Sequence, residues 1–158
     1  YKRQLVYDAY RPKRATKGMV AWAERNDLLH LFEDGYIARH SGHNHGHTID
    51  LTIINLETGE PLDMGTPWDT LNEKSHTYKA QGQIIRNRIF LKKQMEAVGF
   101  KYYYKEWWHF SMKLEGSIPR DVPYGCFEPK EREWKPIEGW NLAGYEMPQT
   151  WTPTSCSK

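Results

Sequence analysis

Cysteine is nearly absent: Cys126 and Cys156 are the only two in 158 residues. That is too few for a disulfide framework or a thiolate zinc knuckle, so any zinc must be held by nitrogen and oxygen. A single Cys126–Cys156 bridge is permitted in an oxidising compartment but not indicated by spacing. Long apolar runs are missing too, and nothing approaches the ~18 consecutive apolar residues of a spanning helix. Tyr1 to Leu5 carry neither an initiator methionine nor the apolar stretch of a signal peptide, so an N-terminal segment is expected to be absent from this sequence. One sign of charge does not dominate: 22 basic against 20 acidic residues give a formal charge of +2. Such a balance offers no footprint for nucleic acid or for a membrane surface. Internal repeats and low-complexity stretches are also lacking. Aromatics, by contrast, make up 14% of the chain, with seven tryptophans, which suits a packed core or a ring-walled pocket.

The length suits one domain with a sizeable apolar core. Gln4 to Tyr7 read as a short strand. A helix is predicted from about Pro12 to Asn26, with Ala15, Met19, Trp22 and Ala23 on its inner side. Leu28 to Phe32 either continue that helix or form a separate turn, and Asp34 with Gly35 ends whichever it is. From Thr48 the period changes to two, with Ile49, Leu51 and Ile53 alternating against Asp50 and Thr52, as in a strand with one buried face. Leu62 to Met64 are its candidate hairpin partner. A second helix is predicted over Gln83 to Val98, stopped by Gly99. Phe100 to Met112 read as one further strand, central in the sheet. These elements define an α+β fold, a single domain whose central antiparallel sheet is flanked by helices. The expected domain runs over residues 1–127, followed by an irregular tail over 128–158 packed on it.

Histidines cluster at His43, His45 and His47, while His30, His40 and His76 read as surface or capping residues. Asp50 opens an apolar strand, where a buried carboxylate needs a partner. A metal ion shared with His43 is one such partner; a salt bridge to Arg11 is another. Glu106, Trp107, Trp108 and His109 form either an aromatic strand edge with a solvated glutamate or a base and a metal ligand supplied from one segment. Two imidazoles and one carboxylate leave an open corner on zinc, as catalytic sites require, and a nearby unbound carboxylate can accept water's proton. Residues three apart point to opposite faces of a regular strand, so Glu106 and His109 can share a metal only if the chain bulges or kinks near Glu106. Arg11 adds a guanidinium able to stabilise an oxyanion, or else is an ordinary surface ion pair.

Four blocks occur in order: Val6-Tyr7-Asp8-Ala9-Tyr10-Arg11-Pro12; Ser41, His43, Gly46 and Asp50-Leu51-Thr52; Asp63-Met64-Gly65-Thr66-Pro67-Trp68-Asp69; and Glu106-Trp107-Trp108-His109-Phe110. Together they resemble the D-alanyl-D-alanine dipeptidases, the VanX type of zinc peptidase. The resemblance spans Val6 to Phe110. It implies a bacterial enzyme, of cytoplasm or periplasm, that hydrolyses free D-Ala-D-Ala with a metal-activated water. It implies zinc on His43, Asp50 and His109, the metal lying on the sheet, with Glu106 as base and Arg11 at the transition state. Ser41 and Asp69 match positions used around the substrate, and Trp107 and Trp108 match the pocket wall. A zwitterionic dipeptide suits this set, with Asp69 for its ammonium and Ser41 as a donor to its carboxylate; Asp69 as a plain turn cap is the alternative. Other readings are a D,D- or L,D-carboxypeptidase or wall endopeptidase acting on longer peptides, and a non-catalytic zinc-binding module. This sequence departs from the family pattern at His45 and His47, which offer competing nitrogens or contacts behind the ligands, and at Trp68, where phenylalanine is usual.

Overall fold

The computed structural model describes residues 2–124. One compact unit closes at Asp121, and a second begins at Val122. The expected tail over 128–158 and both cysteines lie outside the described residues. Among the described residues no helix is long and apolar enough to cross a membrane.

The first unit is an α+β domain built on one antiparallel sheet. Its strands are β1 (Lys2–Asp8), β2 (Thr48–Asn55), β3 (Lys101–Tyr102) and β4 (His109–Ser111), in the order β1-β2-β4-β3. The helices are α1 (Lys13–Arg25), the four-residue α2 (His30–Glu33) and α3 (Gly82–Ala97). Pro12 stands at the α1 N-cap, where its missing N–H costs nothing. Gly35, at φ 74°, turns the chain after α2, which settles Leu28 to Phe32 as a separate element.

Alternation along β2 decides what each face of the sheet carries. Leu51 and Ile53 point into the main core with Leu91 and Met95 of α3, Trp107, Trp108 and Phe110. Asp50 and Thr52 point the other way and are nevertheless buried. The expected half-exposed strand is therefore buried on both faces, because β1 and β4 flank it and a second group of elements covers the Asp50 side. A smaller cluster of Ala23, Leu31 and Ile37 joins α1 to α2. Trp22, expected on the inner side of α1, is 47% exposed; Thr16 takes the buried position instead. Helical spacing puts Thr16 next to Ala23 and Trp22 at the other end of the inner stripe, and the Thr16 side chain fits against Asn44, whose amide bonds its hydroxyl at 2.9 Å. The hairpin expected at Leu62 to Met64 reduces to a single bridge between Ile54 and Pro61, since proline cannot extend the ladder.

Phe100 to Met112 is not one strand. It forms β3 and β4 joined by a tight reversal, in which Glu106 N–H donates to the Tyr103 carbonyl (3.2 Å) and His109 N–H to the Glu106 carbonyl (3.3 Å). The predicted kink at Glu106 is thus a complete change of direction.

Candidate metal centre and its cavity

Three strands bring the site together in one row. Asp8 of β1 lies opposite Asp50 of β2, and Asp50 lies opposite His109 of β4. Side chains paired across an antiparallel ladder share a face, so all three project on the side away from α3. A register shift between Val6 and Asp8 marks a bulge that sets Asp8 in this row.

His43 arrives from a 3-10 turn over Gly42–His45. Ser41 caps that turn, its hydroxyl accepting from the His43 N–H at 3.2 Å, and Gly46 ends it in the left-handed region at φ 72°. The turn is fastened to the start of α1. Arg11 N–H donates to the His43 carbonyl (3.1 Å), and the Asn44 amide donates to the Arg11 carbonyl (2.8 Å). His43 Nδ1 lies 2.7 Å from the Ala9 carbonyl. That contact places the proton on Nδ1 and leaves Nε2 as a free electron pair facing the site.

One ligand atom from each of His43, Asp50 and His109 lies within 4.8 Å of the other two. Asp50 Oδ1 is 3.4 Å from His43 Nε2 and 2.9 Å from His109 Nδ1. Burial pushes the Asp50 carboxyl up, yet the two imidazoles facing it outweigh that and hold the group at about 2. Two buried atoms here, His43 Nε2 and Asp50 Oδ1, have no hydrogen-bond partner. Orphaned acceptors converging on one point are what a cation would satisfy, so the donor set fits a metal ion with an N, N, O preference such as zinc.

Glu106 is 6% exposed, and its Oε2 stands 3.5 Å from His109 Nδ1. Burial first, then the nearby Asp50 and Asp69, push its carboxyl up to about 8, against the opposing pull of Arg11. A divalent cation in the cradle would act in the same sense as Arg11. Arg11 does not pair with Asp50. Its Nη2 is 2.5 Å from Asp8 Oδ2, its Nε 2.7 Å from the same oxygen, and its Nη1 2.9 Å from Met19 Sδ. The salt-bridge alternative for Asp50 therefore falls, and Asp8 is the residue that fixes the guanidinium.

A cavity of about 250 Å³ opens over the cradle, lined by the three potential ligands together with Arg11, Ser41, Asp69 and Glu106. Asp69 holds a left-handed backbone, φ 57°, at its mouth. Partial desolvation and the charge of Asp50 raise its carboxyl to about 6, with Arg11 opposing. Trp107 and Trp108 are elsewhere: at 2% and 1% exposed they lie in the main core beneath the sheet and do not line this cavity. Their role here is to pack the reversal that carries Glu106. The walls come instead from Met19, expected only on the inner side of α1, and from residues the sequence did not single out, among them Tyr36, Leu71 and Tyr103. Trp68 stacks on Tyr7 with centroids 5.1 Å apart, and its indole N–H reaches Asp50 Oδ2 at 3.4 Å. His45 and His47 are outside the cradle, their rings 5.1 Å apart and His45 Nδ1 3.2 Å from the Ser117 carbonyl. Of the missed residues, Asp8 had a visible signal in its i, i+3 spacing to Arg11; the cavity walls had none.

An antiparallel sheet here bears a His-Asp-His group that could hold one metal ion, with a buried carboxylate beside it and an arginine in the same cavity. Sequence comparison narrows the class. A profile of the D-ala-D-ala dipeptidase family of peptidases matches residues 2–128, and the chain belongs to that family. It is 38% identical over 123 residues to a D-alanyl-D-alanine dipeptidase of Enterococcus faecalis, covering 68% of this chain and 61% of that protein. It is 36% identical over 126 residues to one of Streptomyces coelicolor (70% and 62%) and 35% identical over 126 residues to one of Escherichia coli (78% and 62%). The chain thus spans about three fifths of the length of these bacterial relatives.

Proposed function

We propose that this chain carries the metal centre of a zinc peptidase that hydrolyses the free dipeptide D-Ala-D-Ala, with residues 1–127 as the catalytic domain. The observation that carries the reading is the convergence of His43 Nε2, Asp50 Oδ1 and His109 Nδ1, two of them buried and unpartnered, beside the uncommitted Glu106. The relatives' D-alanyl-D-alanine dipeptidase names support the substrate. Zinc held by these three residues supplies Lewis acidity at the scissile carbonyl and a more acidic water.

Glu106 acts as the general base. Its carboxylate, beside the cradle but outside the His43, Asp50 and His109 set, is placed to take a proton from the attacking water and to return it to the departing amine. Arg11, held by Asp8 and Met19, presents its guanidinium to the cavity and stabilises the negative charge that develops on the carbonyl oxygen. Asp69 receives the substrate ammonium, and Ser41 orients the substrate carboxylate from the rim. Trp107 and Trp108, expected at the pocket wall, lie in the core instead, and the Trp107 indole N–H donates to Thr66 Oγ1 at 2.8 Å.

The test is release of D-alanine from D-Ala-D-Ala by the purified chain, run beside N-acetyl-D-Ala-D-Ala and after chelation. Cleavage of the free dipeptide, lost on chelation and weak on the acylated substrate, is the expected result. Preference for the acylated peptide would instead make this a carboxypeptidase, because acylation removes the charge that Asp69 reads.

A further inference from the structure

We propose that Asn87 and Arg88, on the buried face of α3, are positioning residues that hold Asp69 and Trp68 at the metal cradle and thereby set the hold on the substrate ammonium. The inference rests on the peptidase reading above.

Arg88 is 1% exposed; the charge of Asp63 acts on it, but among the described residues no salt bridge joins it to a carboxylate. A buried guanidinium without a directly paired carboxylate is costly unless its donors are satisfied. Here they are satisfied by backbone: Nε donates to the Met64 carbonyl (2.8 Å), Nη1 to the His76 carbonyl (2.7 Å) and Nη2 to the Lys74 carbonyl (3.0 Å). Asn87, 8% exposed, donates through Nδ2 to the Asp63 carbonyl (2.8 Å) and is itself fixed by Gln83 (2.8 Å). Four carbonyls are gripped, two at each end of the segment running from Asp63 to His76.

That segment has almost no regular structure of its own, and its middle delivers the site. Trp68 bonds Asp50 and stacks on Tyr7, while Asp69 lines the cavity in a strained backbone conformation. The grip at the start is close. A Cβ at Gly65 would stand 2.8 Å from Ile84 Cγ2 and 3.4 Å from Arg88 Nη2, at φ 78°, so the chain lies against α3 where only glycine fits. With both ends drawn onto one helix, the span between them is held in one arrangement over the cradle. A planar fork can serve three diverging carbonyls at once, whereas an ammonium cannot serve them in the same geometry.

Arg88→Lys and Asn87→Ala test this in the full chain. For each, KM for D-Ala-D-Ala is expected to rise by about tenfold as the ammonium site loosens, with kcat held within about twofold and zinc stoichiometry unchanged. A second readout is independent of turnover: the Trp68 indole N–H resonance should shift when zinc is added to the parent protein and lose that shift in both variants. If both variants fold and keep the parent KM and the indole shift, the residues serve stability alone and the proposal is overturned. If the parent does not cleave the dipeptide, the peptidase reading fails, and the indole shift alone decides whether the clamp positions Trp68.

Discussion

Removing the metal should lower stability by an amount the cradle itself sets. His43 Nε2 and Asp50 Oδ1 are buried without hydrogen-bond partners. Leaving such groups unsatisfied costs about 1–3 kcal/mol each, hence about 2–6 kcal/mol for the pair. A ligand that binds only the folded state, present at about a thousandfold over its dissociation constant, stabilises by about 4 kcal/mol, within the same range. For a chain of this size that corresponds to a melting shift of roughly 10 °C, taking about 2–4 °C per kcal/mol. Thermal unfolding followed by tryptophan fluorescence, in excess zinc and in excess chelator at one protein concentration, measures it directly. Asp50→Asn removes the ligand charge and should shrink the shift to a small fraction. Coincident melting curves in zinc and chelator, with metal analysis showing binding in one and not the other, would refute the link between the orphaned atoms and a cation.

Other expectations follow from the same geometry. Glu106→Gln should bind zinc at parent stoichiometry yet lose about 10²–10⁴ in kcat, measured by D-alanine release, because the amide cannot accept the proton. Trp108→Ala should destabilise by about 3–5 kcal/mol in urea unfolding, since the ring is 1% exposed in the main core. His76 is held below the ordinary histidine value by burial and then by Lys105, and its Nε2 bonds the Tyr36 hydroxyl at 2.8 Å. A depressed folded pKa disfavours the charged form, so this contribution is present above about 6.5 and is lost as pH falls through the folded value. Urea melts from pH 7.5 to 5 should therefore show a shallower acid decline in His76→Gln than in the parent.

Local pattern carried most of the fold. Pro12 and Gly99 marked the ends of α1 and α3 because a missing donor and a left-handed turn are properties of single residues. Period two marked β2, but its burial on both faces depended on neighbours that no local window contains. Tyr102, Tyr103 and Tyr104 favour strand locally, and tertiary contacts nevertheless turn the chain there: Thr77 N–H donates to the Tyr104 carbonyl and Trp107 N–H to the Ser75 carbonyl. Trp22 and the pair Trp107 and Trp108 were misplaced for one reason, that hydrophobic size does not say which surface a ring meets. That His43, Asp50 and His109 converge, with Glu106 beside them, was legible through the family resemblance, since their residue types alone left bland readings open; Tyr36 and Arg88 gave no such signal, because they act through shape and through backbone contacts.

The reversal between β3 and β4 has a mechanical corollary. Glu106 and His109 sit three residues apart on one short, doubly bonded turn, whereas Arg11 and Asp69 come from remote stretches of chain. Flexing of the domain, crowding by a neighbour or a distant substitution would move Arg11 and Asp69 relative to the cradle long before it altered the spacing between Glu106 and His109. Under the proposed function, variation among members of this lineage should accordingly show up as changes in taste for the guest, with the Glu106–His109 spacing inherited intact.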